Sequence, residues 1–423
     1  MKHIVSEKHG NHGNHGNHDN HDNHDNHDNH DPYQNIKSGE FTFKLDKNAL
    51  NIYAKDASGK TKLHGLIPLH IINAIPYNIK LHAIAKRYTS APYKVIYIDQ
   101  PSAWYPYDAI ANDFYQIINA GFNIINLAFL VNGEPADMCI AWQRELAEIN
   151  PRTGQQYRTE ILTYAHQHQC SILASAGGAT DYNYAQSSPE NYANKVCDYI
   201  LANQLDGVDY DIEYIQSQFI APNLQTSQQT IDWLVSVSNV TRSRLGPNGL
   251  ISHAPQQPYM NTIGQSNTWA GPSGGYSAVE QQCSAIDFYN VQCYNQGDNN
   301  YNSFNTIFIN GGTTFPYSAI TQTNIPLNKF VMGKPLRPTD ASTGYQSPDT
   351  LNSILLQAKS SLNYIGNIMA WQYPYDNSDP GKVCKDWLDT VTNNLSLILS
   401  STSSSSSSSS TGRGNSNLFP CKN

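Results

Sequence analysis

The stretch LDGVDYDIEYI, Leu205 to Ile215, sets four acids among apolar residues in a chain where only 14% of residues are charged. Successive side chains of a β-strand point to opposite faces. A strand here therefore puts Asp209, Asp211 and Glu213 on one side and Val208, Tyr210 and Ile212 on the other. Three carboxyls then stand in a row. Asp206 falls outside that register and reads as a strand-start or loop-anchoring residue.

Outward from this stretch a rhythm continues in both directions. YKVIYID, NIINLAFLV, SILASAGG, DGVDYDIEY, GLISHAPQ, IDFYNVQCYN, KFVMGKP and IGNIMAWQ are eight short, apolar, β-rich runs suited to buried parallel strands. Helical patterns lie between them, in YDAIANDFYQIINAGF, in SPENYANKVCDYILANQL with its Ser-Pro start signal, and in TSQQTIDWLVSVSNVTRSRLG with its closing Gly. Strand alternating with helix eight times over about 300 residues predicts an α/β fold, a closed (β/α)8 TIM barrel. The fifth to seventh helices are poorly marked. In such a barrel the inward face of the fourth strand carries the acids, and Glu213 comes nearest the C-terminal mouth.

The rest of the 423 residues frames this domain. From His9 to Asp31 the chain repeats His-Gly-Asn and then His-Asp-Asn, too polar to bury a core, so residues 1–33 are expected to be disordered. Imidazoles beside carboxylates there could take up an adventitious divalent metal. FTFKLD and LNIYAKDASGKTKLHG alternate around a Ser-Gly turn, which predicts a small β-rich extension over 34–90. The barrel is expected over 91–396, followed by a disordered Ser-rich tail over 397–423.

Composition excludes several function classes. A net charge of -8 offers no broad basic surface for nucleic acid, and no apolar run is long enough to span a bilayer. The N-terminus MKHIVSEKHG has no secretory signal pattern, so the expectation is a cytoplasmic or non-classically released protein; a monomer is expected. Seven Cys without a Cys-x-x-Cys pair read as mostly buried thiols. The 27 Tyr and 6 Trp supply flat faces for a core or for stacking on sugar rings.

Crowding like charges in a low-dielectric funnel resists full ionisation, so at least one carboxyl of the row should keep a proton near neutral pH. Glycosidic bond cleavage needs such a general acid. A divalent metal site also favours clustered acids, but no His or further acid with suitable spacing accompanies these. A structural ion network is the other alternative, and no cofactor is called for.

DGVDYDIE, Asp206 to Glu213, resembles the Asp-Gly-x-Asp-x-Asp-x-Glu signature of family 18 glycoside hydrolases, the chitinases and related endo-β-N-acetylglucosaminidases. SAGG at Ser175 to Gly178, APQ at Ala254 to Gln256, VQCYN at Val291 to Asn295 and MAWQ around Trp371 resemble strands three, five, six and eight of the hevamine-like plant and fungal subgroup. The resemblance implies an endo-acting chitinase with a substrate-assisted retaining mechanism, which departs from the usual two-carboxylate scheme. In it, Glu213 protonates the leaving oxygen while the substrate's 2-acetamido oxygen attacks the anomeric carbon to form an oxazolinium ion. Asp211 holds the acetamido N–H, Asp209 shares a proton with Asp211, and Tyr294 donates to the acetamido group. Asn290, Gln292 and Tyr294 share one strand face, so Gln292 can reach the same pocket. Trp371 forms the floor under the sugar, and Asn295, Gln256, Gly177 and Gly178 are further substrate-binding candidates.

The first strand departs from that subgroup. It reads YIDQPSAWY in place of a Tyr-Trp-Gly-Gln-Asn run, which leaves Tyr97 and Trp104 as candidates for outlying sugar positions. Chitin or chitooligosaccharides are the expected partners. An endo-β-N-acetylglucosaminidase acting on N-glycans and a non-catalytic chitin-binding lectin are the competing functions.

Overall fold

The computed structural model describes residues 86–182, 187–213, 215, 227–260 and 275–395, together with the backbone of three strands within 41–68. The described part of the His-rich repeat and of the Ser-rich tail is nil, so the expectations for those segments lie outside the described residues. The chain divides into two compact units, 1–74 and 75–423.

In the first unit, β1 (Phe41–Leu45), β2 (Ala49–Lys55) and β3 (Thr61–Pro68) form an antiparallel sheet in chain order. Phe43 pairs with Ile52, and a register shift between Ile52 and Tyr53 precedes the pairing of Tyr53 with Leu63.

The second unit is a closed (β/α)8 barrel, as the strand rhythm predicts. Its parallel strands are β4 (Lys94–Ile98), β5 (Ile124–Val131), β7 (Ser171–Gly177), β8 (Gly207–Asp211), β9 (Leu250–His253), β10 (Phe288–Gln292), β11 (Phe330–Pro335) and β12 (Ile368–Trp371). They pair in sequence order, and β4 closes the ring by pairing with both β12 and β5. A short β6 (Glu134–Pro135) folds back antiparallel on the end of β5.

Alternation along these strands builds two apolar shells. Val95, Tyr97, Ile124, Ala128, Leu173, Leu250, Phe288, Val331 and Met369 fill the inside of the ring. Their neighbours Ile96, Ile98, Ile125, Leu127, Ile172, Val208, Tyr210, Ile251 and Tyr289 face the helices. Tyr210 shows how the outer shell is finished: its hydroxyl meets Thr241 Oγ1 at 2.6 Å on the helix that follows β8.

Several helix ends fall where the chain supplies caps. Those of the first four crossovers are α1 (Tyr107–Ala120), α2 (Asp137–Gln143), α3 (Tyr157–Gln167), α4 (Pro189–Ala202) and α5 (Ser227–Leu245). Ser188 caps α4 by accepting from Asn191 N–H at 3.2 Å with Pro189 in the first turn, as the Ser-Pro signal predicts. Gly121 ends α1 in the left-handed region. α6 (Gly275–Gln282), α7 (Pro348–Leu362) and α8 (Pro380–Val391) follow β9, β11 and β12.

Between β10 and β11 the described chain forms a five-residue π-turn, Asn305–Ile309, and one 3-10 turn, Ile320–Gln322, in place of an α-helix. The Asn- and Gly-rich composition of this segment explains the weak helical signal. A buried lysine braces it: Lys334 Nζ on β11 donates to the carbonyls of Cys293 at 2.7 Å, Tyr301 at 2.6 Å and Gly344 at 3.1 Å.

Residues just before β4 belong with the barrel unit, although the sequence reading left them in the extension. Arg87 pairs with Asp287 at 2.8 Å, and Thr89 Oγ1 donates to Ser171 Oγ at 2.9 Å. The six cysteines among the described residues are buried free thiols. No described helix is long and apolar enough to cross a membrane.

Candidate active site

The acids of β8 meet at the C-terminal end of the ring. Asp209 is fully buried and accepts four hydrogen bonds. Tyr97 Oη at 2.7 Å and Ser175 Oγ at 2.8 Å donate to Oδ2, while Ser252 Oγ at 2.6 Å and Asn290 Nδ2 at 3.0 Å donate to Oδ1. These donors come from β4, β7, β9 and β10, so one carboxylate ties four strands together. Two expectations change here. Tyr97 is no outlying sugar contact but a buried anchor of Asp209, and the hydrogen bonds of Asp209 run to these donors and not to Asp211.

Asp211 lies one layer higher, at 3% exposure, and Glu213 stands just beyond the strand end, partly exposed. Gln292 on β10 joins them. Its Nε2 donates to Asp211 Oδ1 at 2.8 Å and reaches Glu213 Oε1 at 3.4 Å, with the Ala254 carbonyl at 3.1 Å. Tyr259 steadies the chain after β8 by donating to the Glu213 carbonyl at 2.7 Å.

Burial pushes the Asp211 carboxyl well above the usual carboxylate range, and the charges of Glu213 and Asp209 push it further. Glu213 is raised by burial, against the pull of the Gln292 amide. Asp209 is raised by burial too, with its four hydrogen bonds opposing. Two carboxyls within reach of one amide, in a site where ionisation is resisted, form an assembly that keeps its last proton to a higher pH than a free carboxyl would and can give it up.

Tyr294 is buried beside them, and burial followed by the charges of Asp211 and Glu213 holds its phenol well above the ordinary range. It is therefore a hydrogen-bond donor at any working pH. Gly344 packs against it so closely that a Cβ there would come within 2.7 Å of Tyr294 Cα.

Trp371 ends β12 half-buried, with its ring 5.6 Å from that of Tyr97 and 6.0 Å from that of Phe129. Gly177 and Gly178 support the acids through the backbone. A Cβ on Gly177 would sit 2.0 Å from the Asp211 carbonyl oxygen, Gly178 N–H donates to that oxygen at 2.8 Å, and a Cβ on Gly178 would meet the Phe129 ring at 3.0 Å. Asn295 Oδ1 accepts from both Ser342 N and Ser342 Oγ at 2.9 Å, which fastens the loop after β11. Gln256 is half-buried, bridged to Gln292 through the backbone. Trp104 is 47% exposed on the loop before α1. Asp206 anchors the strand start, as its off-register position predicts, by accepting from His166 Nε2 at 2.9 Å and Ile172 N at 2.8 Å.

Sequence reasoning gave no role to Ser175, Ser252, Tyr259 and Phe129. The first two were legible as polar residues on the inward side of otherwise apolar runs. Phe129 was not, since it reads as one more apolar residue in NIINLAFLV. Among the described residues no group of three or more His, Cys, Asp or Glu is arranged to hold a metal ion.

No protein-family model matches the chain. It is similar to a basic endochitinase of Nicotiana tabacum, 25% identical over 276 residues that span 61% of this chain and 81% of that protein. It is also similar to an acidic endochitinase of Arabidopsis thaliana, 25% identical over 276 residues, 60% of this chain and 78% of that one. In fold it is similar to the crystal structure of a GH18 chitinase from Pseudoalteromonas aurantia, with a TM-score of 0.52 and 22% identity over 70% of this chain and 99% of that one.

Proposed function

We propose that this protein is an endo-acting chitinase that hydrolyses β-1,4-linked N-acetylglucosamine polymers by a substrate-assisted retaining mechanism. The observation that carries the reading is the stacked column of Asp209, Asp211 and Glu213, with Gln292 bridging the upper two. The similarity to two plant endochitinases supports the choice of polymer.

In this reading Trp371 carries the sugar whose bond is cut. Glu213 donates its proton to the glycosidic oxygen, the C1–O bond breaks, and the carbonyl oxygen of that sugar's own acetamido group bonds to C1. Asp211 accepts from the acetamido N–H and offsets the positive charge that develops on the ring, while Tyr294 donates to the acetamido oxygen. Water then attacks C1, Glu213 takes its proton back, and the oxazolinium ring opens with the original configuration at C1. Asp209, fixed by its four donors, stands beneath Asp211 throughout and adds its charge, whenever ionised, to the field there.

Chitin hexasaccharide tests this directly. The wild type cuts it to shorter oligomers, and Glu213→Gln loses about 10²- to 10⁴-fold in turnover while it still binds the oligosaccharide. Near-wild-type turnover by the variant would contradict the assignment. A wild type that releases glycans from a denatured glycoprotein but leaves chitin intact would be an endo-β-N-acetylglucosaminidase, and one that binds chitin without cutting it would be a lectin.

A further inference from the structure

The first strand carries an acid that this chemistry does not use. Val95 and Tyr97 of β4 point into the ring, so alternation sends Asp99, the residue after the strand end, to the same side one layer higher. Asp211 and Glu213 stand above Asp209 in the same way. Tyr97 beneath it touches both Asp209 and Trp371, which puts the partly exposed Asp99 at the mouth beside the sugar floor.

Its partners leave it electrically uncompensated. Turned so that its nitrogen and not its oxygen faces the acid, the side-chain amide of Gln372, next to Trp371, donates to both carboxylate oxygens of Asp99, to Oδ2 at 2.7 Å. That amide brings no charge. The charges that act on Asp99 are the like charges of Asp137, at the start of α2, and Asp340, in the loop after β11. The Arg337 guanidinium beside this loop is spent on Asp340, at 2.8 Å, and on Asp376.

A neutral N-acetylated sugar has no use for an anion here, since an amide or hydroxyl would serve its hydroxyls without the cost of desolvating a charge. A free amine does have a use for it. Resting on the chitinase reading, we infer that Asp99 selects a sugar bearing an ammonium group, so that partially deacetylated chitin is the polymer this cleft takes. The sugar on Trp371 must keep its acetamido group, because that group attacks C1. Glu213 works on the leaving side, from β8, whereas β4 stands three strands away around the ring and pairs with β12, the strand that carries the Trp371 floor. The ammonium therefore belongs to the next sugar on the retained side, second from the new reducing end of the product.

Burial, with the like charges of Asp137 and Asp340 adding to it and hydrogen bonds from the Asp99 and Gln100 backbone N–H groups opposing it, raises Asp99 to about 6. Its anionic form grows as pH rises toward that value, and above it the sugar amine, a much weaker base than a lysine amine, gives up its proton, so the selection peaks near pH 6.

The test is digestion of a partially N-acetylated chitosan of random sequence, with the second unit from each new reducing end identified by mass spectrometry. That composition is a ratio and does not depend on overall rate. The expected result is glucosamine enriched there by about two- to fivefold over the bulk polymer with the wild type, as a partly exposed ion pair gives, and enrichment abolished in Asp99→Asn. With the wild type alone, enrichment should be greater at about pH 6 than at about pH 4. Equal composition from wild type and variant, or no change with pH, would overturn the inference while leaving the chitinase reading intact. Failure of the wild type to cut fully acetylated chitin hexasaccharide would instead overturn that reading, and this inference with it.

Discussion

Asp211 is buried between two other carboxyls, and it bears on rate and stability in opposite directions. Its folded-state pKa is raised above the ordinary carboxylate value, by burial first and then by the charges of Glu213 and Asp209. The folded protein therefore binds this proton more tightly than the unfolded chain, and stability falls as pH rises from about 4 through the raised value. Asp211→Asn removes that loss at nearly constant shape. It should raise Tm at neutral pH by about 2–4 °C and lower kcat by about 10²-fold or more, with little change in KM. A calorimetric scan and steady-state kinetics on one preparation check both. A variant less stable than the wild type would mean that Asp211 is held as a stabilised anion. The raised Glu213 has its own signature. Since the acid works protonated, kcat/KM should decline on the alkaline side at a pH above the ordinary carboxylate range, and a decline near pH 4 would contradict it.

At the scale of elements, the site depends on how closely β7 and β8 approach. Gly177 has φ +119°, and a Cβ there would lie 2.0 Å from the backbone oxygen of Asp211, an atom that cannot move without shifting β8. Gly177→Ala should destabilise the barrel by about 1–3 kcal/mol in a denaturant melt and reduce turnover along with it; unchanged stability would show that the strands are less tightly fixed. His253 on β9 sets the acid limit. Fully buried between Ser238 Oγ at 3.0 Å and Tyr276 Oη at 3.2 Å, it is lowered by burial to about 3. The unfolded chain takes up that proton near pH 6.5, so stability present above that value is lost as pH falls toward 3. A shallower acid slope in His253→Gln, seen in melts across that range, is expected. Much of this was legible in the chain. Eight apolar runs with helical spacers give the ring, and alternation along DGVDYDIE and YNVQCYN gives the facing acids and amide. What alternation cannot give is register between strands. Tyr97 was therefore read as a distant sugar contact, although ring closure sets it on Asp209. The β10–β11 crossover was equally illegible, because its order comes from Lys334 and buried aromatics and not from helical periodicity.

For the whole molecule, the inner and outer apolar shells are complete within the barrel unit, which begins at Ile75. A chain that starts there should fold cooperatively and cut chitin hexasaccharide within about twofold of the full-length rate, as expected of a unit with its own core. A tenfold loss would assign residues 1–74 a part in the site. The proton column, the aromatic floor and the Tyr294 donor together make one stereochemical claim, that the substrate's acetamido group replaces an enzyme nucleophile and C1 is inverted twice. Rapid NMR of chitin hexasaccharide hydrolysis, recorded before the products mutarotate, tests it most directly. New reducing ends should appear first as the β-anomer with the wild type and should not appear with Glu213→Gln. First appearance of the α-anomer would contradict it, because a single inversion requires water, and not the acetamido group, to attack C1.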